Sequence, residues 1–177
     1  FNFIFSSFWV IILMKNSDAD YNFSLKDFCI NNNIKLVSSE SCTGGLLSYE
    51  ITKIAGSSEY FDRGFITYSN SSKCSILGVS DKTIQRYGAV SRQVAEEMAI
   101  GGLKNSDAQY SVSITGIAGP GSQGPKPEGL VWFGMANRYI SFAKKRNFGP
   151  LGRNTVRNES CKHALNLLIE FIRSTMK

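Results

Sequence analysis

The chain has 177 residues, 42% of them hydrophobic, with 20 Lys and Arg against 14 Asp and Glu for a formal net charge of +6. That length suits one domain with a sizeable core, and the composition excludes a disordered, collagenous or low-complexity protein. Four scattered cysteines without a CxxC pair and a single histidine argue against a disulfide framework or a zinc site. They point to a reducing compartment, so the expected location is the cytoplasm.

Residues 1–13 are apolar and aromatic without a charge. They are shorter than the roughly 20 residues of a membrane span and lack the basic start of a signal peptide. They read as an extension upstream of an initiator at Met14, with a membrane anchor as the competing reading. Residues 1–23 are expected to lie outside the fold, and residues 24–177 to form a single domain.

The first predicted helix is capped by Ser24, buries Leu25, Phe28 and Cys29, and ends at Asn31, Asn32 and Asn33. An apolar run at 34–37 reads as a strand. After it, residues 39–45 (Ser-Glu-Ser-Cys-Thr-Gly-Gly) form a polar strand-to-helix turn before a helix at 45–54 that buries Leu47, Ile51 and Ile54. Glycines there permit close backbone approach, and the first N–H groups of the helix are unpaired, which suits a nucleophile or an anion site. The same residues also fit an ordinary polar turn. A second strand at 63–68 leads to a short helix capped at Ser69-Asn70 and ended by Gly78, and then to another between Ser80 and Gly88. Ser91 caps a longer helix at 92–103 with Val94, Ala95, Met98 and Gly102 inward. Alternation at 109–115 gives a third strand, followed by the glycine-rich loop 116–121. A strand at 130–136, a hairpin partner at 139–148 and a last helix at about 153–174 complete the chain. Strands alternating with helices and then a hairpin predict an α/β fold, a three-layer α/β/α sandwich with a mixed sheet.

On the last helix Ala164, Leu165, Leu168, Phe171 and Ile172 form one stripe, and Arg157 and Arg153 continue it toward the helix start. Buried guanidinium groups need an anionic partner, either a phosphate or carboxylate ligand or an internal carboxylate such as Glu40 or Glu50. Nine of the 20 basic residues fall between Arg138 and Lys177, against Glu159 and Glu170. This suits a phosphorylated small molecule, while no nucleic-acid motif is present. His163 projects to the polar side of the last helix and reads as a surface residue, which argues against a Ser-His-Asp triad. Lys73 is the alternative base, because a lysine with a lowered pKa can deprotonate a serine. Spacing alone leaves it a solvated helix lysine.

Several blocks stand in one order: residues 40–45 (Glu-Ser-Cys-Thr-Gly-Gly), 56–58 (Gly-Ser-Ser), 68–70 (Tyr-Ser-Asn) with Lys73, 77–79 (Leu-Gly-Val), 88–91 (Gly-Ala-Val-Ser), 115–120 (Thr-Gly-Ile-Ala-Gly-Pro) and 126–127 (Lys-Pro). From about Ser24 to its end the chain resembles the CinA C-terminal domain family. That resemblance implies nicotinamide mononucleotide amidohydrolase activity, in which the carboxamide is hydrolysed to the acid with release of ammonia. It implies Ser41 as nucleophile, Lys73 as base and Tyr68 beside them. Glu40, Thr43, Gly44, Gly45, Asn70, Thr115, Gly116, Gly119, Arg153 and Arg157 are then expected to bind substrate. Backbone N–H groups around residues 43–45 would hold the oxyanion. Cys42 is a rival nucleophile ranked below Ser41 because it neighbours no histidine. No metal and no cofactor are expected. The expected partners are a pyridine mononucleotide and further copies of the chain, without nucleic acid or membrane. The alternative is a non-catalytic nucleotide-binding or partner-binding module on the same fold. Three positions depart from the family pattern: Leu151-Gly152 where Gly-Asp is frequent, Asn158 where an arginine is frequent, and Glu128 where Val is usual.

Overall fold

The computed structural model describes residues 18–176. The expectations for residues 1–17 lie outside the described residues. Helix α1 (Asp18–Asn31) begins six residues before the predicted start, so Ser24 lies inside it and is not its cap. The chain leaves α1 through Asn33, whose positive φ of 54° suits an asparagine.

Strand β1 (Leu36–Glu40) is buried along its whole length. Ser39 and Glu40, read from sequence as the start of a turn, belong to this strand. They are tolerated because β1 is an inner strand. It pairs in parallel with β2 (Phe61–Ile66) on one side and β3 (Tyr110–Gly116) on the other, so its backbone groups are satisfied on both edges. Between β1 and β2 lie α2 (Leu46–Thr52) and a short 3₁₀ turn (Ser57–Glu59). Helix α2 stops before Ile54, which is only half-buried. Helices α3 (Asn70–Leu77), α4 (Asp81–Tyr87) and α5 (Arg92–Lys104) connect β2 to β3. The hairpin β4 (Leu130–Ala136) and β5 (Ser141–Asn147) then adds two antiparallel strands, and α6 (Arg153–Thr175) closes the chain.

The sheet order is β2-β1-β3-β4-β5, a mixed sheet. Helices α1, α2 and α6 cover one face. On the other, α5 packs directly against the sheet and carries α3 and α4. These are the three layers that the alternation of elements predicts.

The two faces of the sheet have different chemistry. Toward α6, Leu36, Val112, Ile114, Val131 and Phe133 meet Val156, Ala164, Leu168 and Ile172. Each such aliphatic side chain contributes about 1.5–3 kcal/mol on burial. Toward α5 the inner strands present small hydroxyls, and the helix answers with Ala95 and Gly102. The Ser113 hydroxyl donates to Ala95 O at 2.5 Å, and a Cβ on Gly102 would collide with the Ser39 hydroxyl. Sheet and helix therefore approach closely.

The carboxyl ends of β1, β2 and β3 all point the same way. The segment after β1 runs to the α6 face, and the helices after β2 cross to the opposite face before β3. In open α/β sheets ligands bind beyond the strand ends where connections diverge in this way. No helix among the described residues is long and apolar enough to cross a membrane.

Candidate active site

The turn after β1 is organised by Glu40. This residue is completely buried. Its Oε2 accepts the N–H groups of Gly45 and Leu47, both at 3.0 Å, and its Oε1 accepts the Ser48 N–H at 2.8 Å and the Ser48 hydroxyl at 2.7 Å. Gly45 precedes α2 in a left-handed conformation and has no side chain to cap the helix. The carboxylate supplies that cap and offsets the positive end of the helix. Glu40, expected to bind substrate, thus has its oxygens engaged inside the turn and is absent from the cleft wall. Glu40→Ala strands three N–H groups and is expected to cost about 2–5 kcal/mol, read as a lower urea midpoint. Glu40→Gln, which keeps acceptor capacity on one atom, should lose less.

A cleft of about 370 Å³ opens beyond the strand ends, within the size range of small-molecule sites. It brings together Ser41, Tyr68, Asn70, Lys73, Thr115, Gly116, Gly119 and Arg153 of the predicted residues. Cys42, weighed from sequence as a rival nucleophile, lies at its base, and two parts of its wall were not among the predicted site residues: Ala89 and Val90 between α4 and α5, and Gly121 to Gln123 at the tip of the β3–β4 loop. The Gly88 and Ser91 cap signals marked the first of these as a bend but gave no hint of its neighbours.

At the base of the cleft Lys73 is 1% exposed. Its Nζ lies 2.9 Å from Ser41 Oγ, 2.8 Å from Thr67 O and 3.4 Å from Tyr68 O. Lys73 has no carboxylate partner among the described residues. Burial holds its pKa below the usual lysine value, against smaller opposing effects of Cys42 and Cys74. A neutral amine has two N–H donors and one lone pair. Donation to the two carbonyls leaves the lone pair for the Ser41 hydroxyl proton, so the geometry suits a base.

The Cys42 thiol is buried, and that burial pushes its pKa to about 12. It stays protonated near neutrality, so it is a poor nucleophile beside Ser41. Among the N–H groups of the turn, those of Gly44 and Gly45 already bond Ser41 O and Glu40. The Cys42 and Thr43 N–H groups make no main-chain bond to another of the described residues.

Tyr68 stands at the rim, and its hydroxyl accepts from Arg153 Nη2 at 2.8 Å instead of meeting Ser41 or Lys73. Arg153 Nη1 donates to Gly119 O at 3.0 Å. Arg157 lies behind the cleft wall, donating from Nη2 to Thr43 O at 2.7 Å, while its Nε is buried without a partner. Gly44, at a positive φ of 59°, lies beside that guanidinium. Thr43, Gly44 and Gly45, expected to bind substrate, likewise do not line the cleft. Neither arginine meets the carboxylates Glu40 or Glu50; Glu50 pairs with Lys53. The Thr115 hydroxyl is engaged with Ala89 O at 2.9 Å. Among the described residues, no group of three or more His, Cys, Asp or Glu side chains is placed to hold a metal.

His163 is outside the cleft and half-buried at the surface of α6. It packs edge-on against Phe133 at 4.8 Å and Phe148 at 6.3 Å, with Nδ1 3.1 Å from Arg146 Nη1. Burial first, and then Arg146 and Lys144, lower its pKa, with Glu170 opposing. Below an unfolded value of about 6.5 the unfolded chain takes up a proton that the folded imidazole resists. This part of the stability is present above that pH and is lost as pH falls. Urea midpoints of wild type and His163→Phe should converge near pH 8 and separate toward pH 5, with the wild type losing more.

The model of the CinA C-terminal domain matches residues 20–172. The nicotinamide-nucleotide amidohydrolase PncC of Enterobacter agglomerans is 49% identical over 139 residues, covering 76% of this chain and 84% of that protein. The protein of the same name from Escherichia coli K12 is 45% identical over 142 residues, covering 79% and 86%. The crystal structure of the competence/damage inducible protein CihA from Agrobacterium tumefaciens superposes with a TM-score of 0.83 at 39% identity, covering 85% of this chain and 93% of that one.

Proposed function

The chain belongs to the CinA C-terminal domain family, and from that membership we propose that it hydrolyses the carboxamide of nicotinamide mononucleotide, giving nicotinate mononucleotide and ammonia. The names of the relatives from Enterobacter agglomerans and Escherichia coli support the substrate. One observation carries the chemistry: a buried lysine without a carboxylate partner lies 2.9 Å from a serine hydroxyl at the base of a cleft.

Neutral Lys73 removes the proton of Ser41 as Oγ attacks the amide carbon. The carbonyl oxygen becomes an oxyanion within reach of the Cys42 and Thr43 N–H groups. The Lys73 ammonium returns its proton to the amide nitrogen, the C–N bond breaks and ammonia departs, leaving an ester on Ser41. Water enters, Lys73 takes a proton from it, and hydroxide attack on the ester releases the acid and restores the serine. The substrate's phosphate sits at the rim, where Arg153 presents its planar fork.

The test is ammonia release by the full chain from nicotinamide mononucleotide, nicotinamide riboside and nicotinamide. Release with kcat/KM highest for the mononucleotide is expected. Binding of the mononucleotide without release would replace this reading with a nucleotide-binding module.

A further inference from the structure

The β3–β4 loop supplies much of the cleft wall, yet its tip is glycine-rich and exposed. Its base is secured by main-chain bonds, Gly129 N to Ile117 O at 2.8 Å and Ile117 N to Leu130 O at 2.9 Å. Its far shoulder is secured by Lys126, whose Nζ reaches Tyr87 O at 2.7 Å and Val90 O at 2.6 Å. The tip itself, Gly119 to Gly121, has two side-chain holders on record. From the cleft side Arg153 takes Gly119 O. From the loop's own return limb, Glu128 Oε2 accepts the Gly121 N–H at 2.6 Å, and the Glu128 carboxyl lies where a Cβ of Gly119 would be. Gly119 and Gly121 both have positive φ, so neither contributes a side chain that would stiffen the tip.

We propose that Glu128 is a positioning residue for the substrate cleft, holding the 119–121 rim in place when Arg153 turns its guanidinium to the substrate's anionic group. Arg153 cannot serve a phosphate with the nitrogens that hold Gly119 O and the Tyr68 hydroxyl without weakening those bonds. The charge-assisted bond from Gly121 to Glu128 is independent of that exchange, so the rim stays where the substrate needs it. This assignment rests on the amidohydrolase reading for its kinetic consequence only; the restraint itself is a property of the free protein.

Two measurements on the full chain test it. Glu128→Ala is expected to raise KM for nicotinamide mononucleotide by about tenfold, the scale of one lost hydrogen bond to a charged group, while kcat stays within about twofold. Glu128→Gln keeps an acceptor and should remain within about twofold of wild type in both constants. Without substrate, hydrogen exchange of the 117–124 peptide should quicken about tenfold in Glu128→Ala, and that of β1 and α6 should not change. A KM for Glu128→Ala within twofold of wild type overturns the assignment, and so does a glutamine variant as impaired as the alanine one. If the wild type hydrolyses nothing, the amidohydrolase reading fails alone. The exchange experiment then decides, with unchanged 117–124 protection overturning the restraint and a localised loss of protection supporting it.

Discussion

Ser41→Ala is expected to lower ammonia release from nicotinamide mononucleotide by about 10⁴-fold or more, because a covalent route loses its nucleophile while the rest of the cleft survives. The expectation is specific to Ser41. Its neighbour Cys42 is also at the base of the cleft, but the buried thiol, with its pKa near 12, holds its proton. Cys42→Ala should therefore keep activity within about tenfold of wild type, its loss reflecting packing only. Both variants remove little volume from a nearly buried turn whose geometry is set by Glu40, so circular dichroism and melting should stay close to wild type. Retention of activity in Ser41→Ala with loss in Cys42→Ala would exchange the roles of the two residues.

Lys73→Met is expected to cost about 10²–10⁴-fold in kcat, the range for removing a positioned general base. Lys73→Arg should be equally impaired, since a guanidinium does not give up its proton in this range. The wild-type rate should rise with pH as the Lys73 ammonium deprotonates, with its midpoint displaced below the ordinary lysine range by burial. Stability follows the same proton. Below about pH 10.4 the unfolded chain binds a proton that the folded amine binds less tightly, so this site lowers stability at neutral pH and the deficit shrinks as pH rises. Methionine fills similar volume without an ionisable group. Lys73→Met should therefore match or exceed the wild-type melting temperature at pH 7 while being nearly inactive. A large drop in melting temperature with a pH-independent wild-type rate would contradict a buried neutral base.

Local signals in the sequence carried the elements well where a cap or a stripe stood alone. Ser69 and Ser91 cap α3 and α5 through their hydroxyls, and Gly78 ends α3 in a left-handed conformation, as their residue types imply. The stripe on α6 faces the sheet as its spacing predicts. The approach of Lys73 to Ser41 was different. The two residues are 32 positions apart and come together through the β1–β2 pairing, so helical spacing left Lys73 a solvated residue. Only the family resemblance suggested their meeting. The inward position of Glu40 under α2 was not legible, because its partners are the N–H groups at the start of that helix. A helical projection left out the aromatic neighbours of His163, because Phe133 and Phe148 reach it from the sheet side. Ser39 and Glu40 looked like a turn because only the tertiary fold gives β1 a hydrogen-bonded neighbour on each side.

Ser41 leaves an inner strand and Lys73 follows the edge strand, which among the described residues has β1 as its sole neighbour in the sheet. The pair is therefore a reporter of time during folding. Parallel pairing of β1 with β2 requires closure of the intervening α2 segment, and such non-local contacts form late compared with helices and collapse. In refolding, helical signal should return first, and catalytic competence should appear only with the docking of the edge strand.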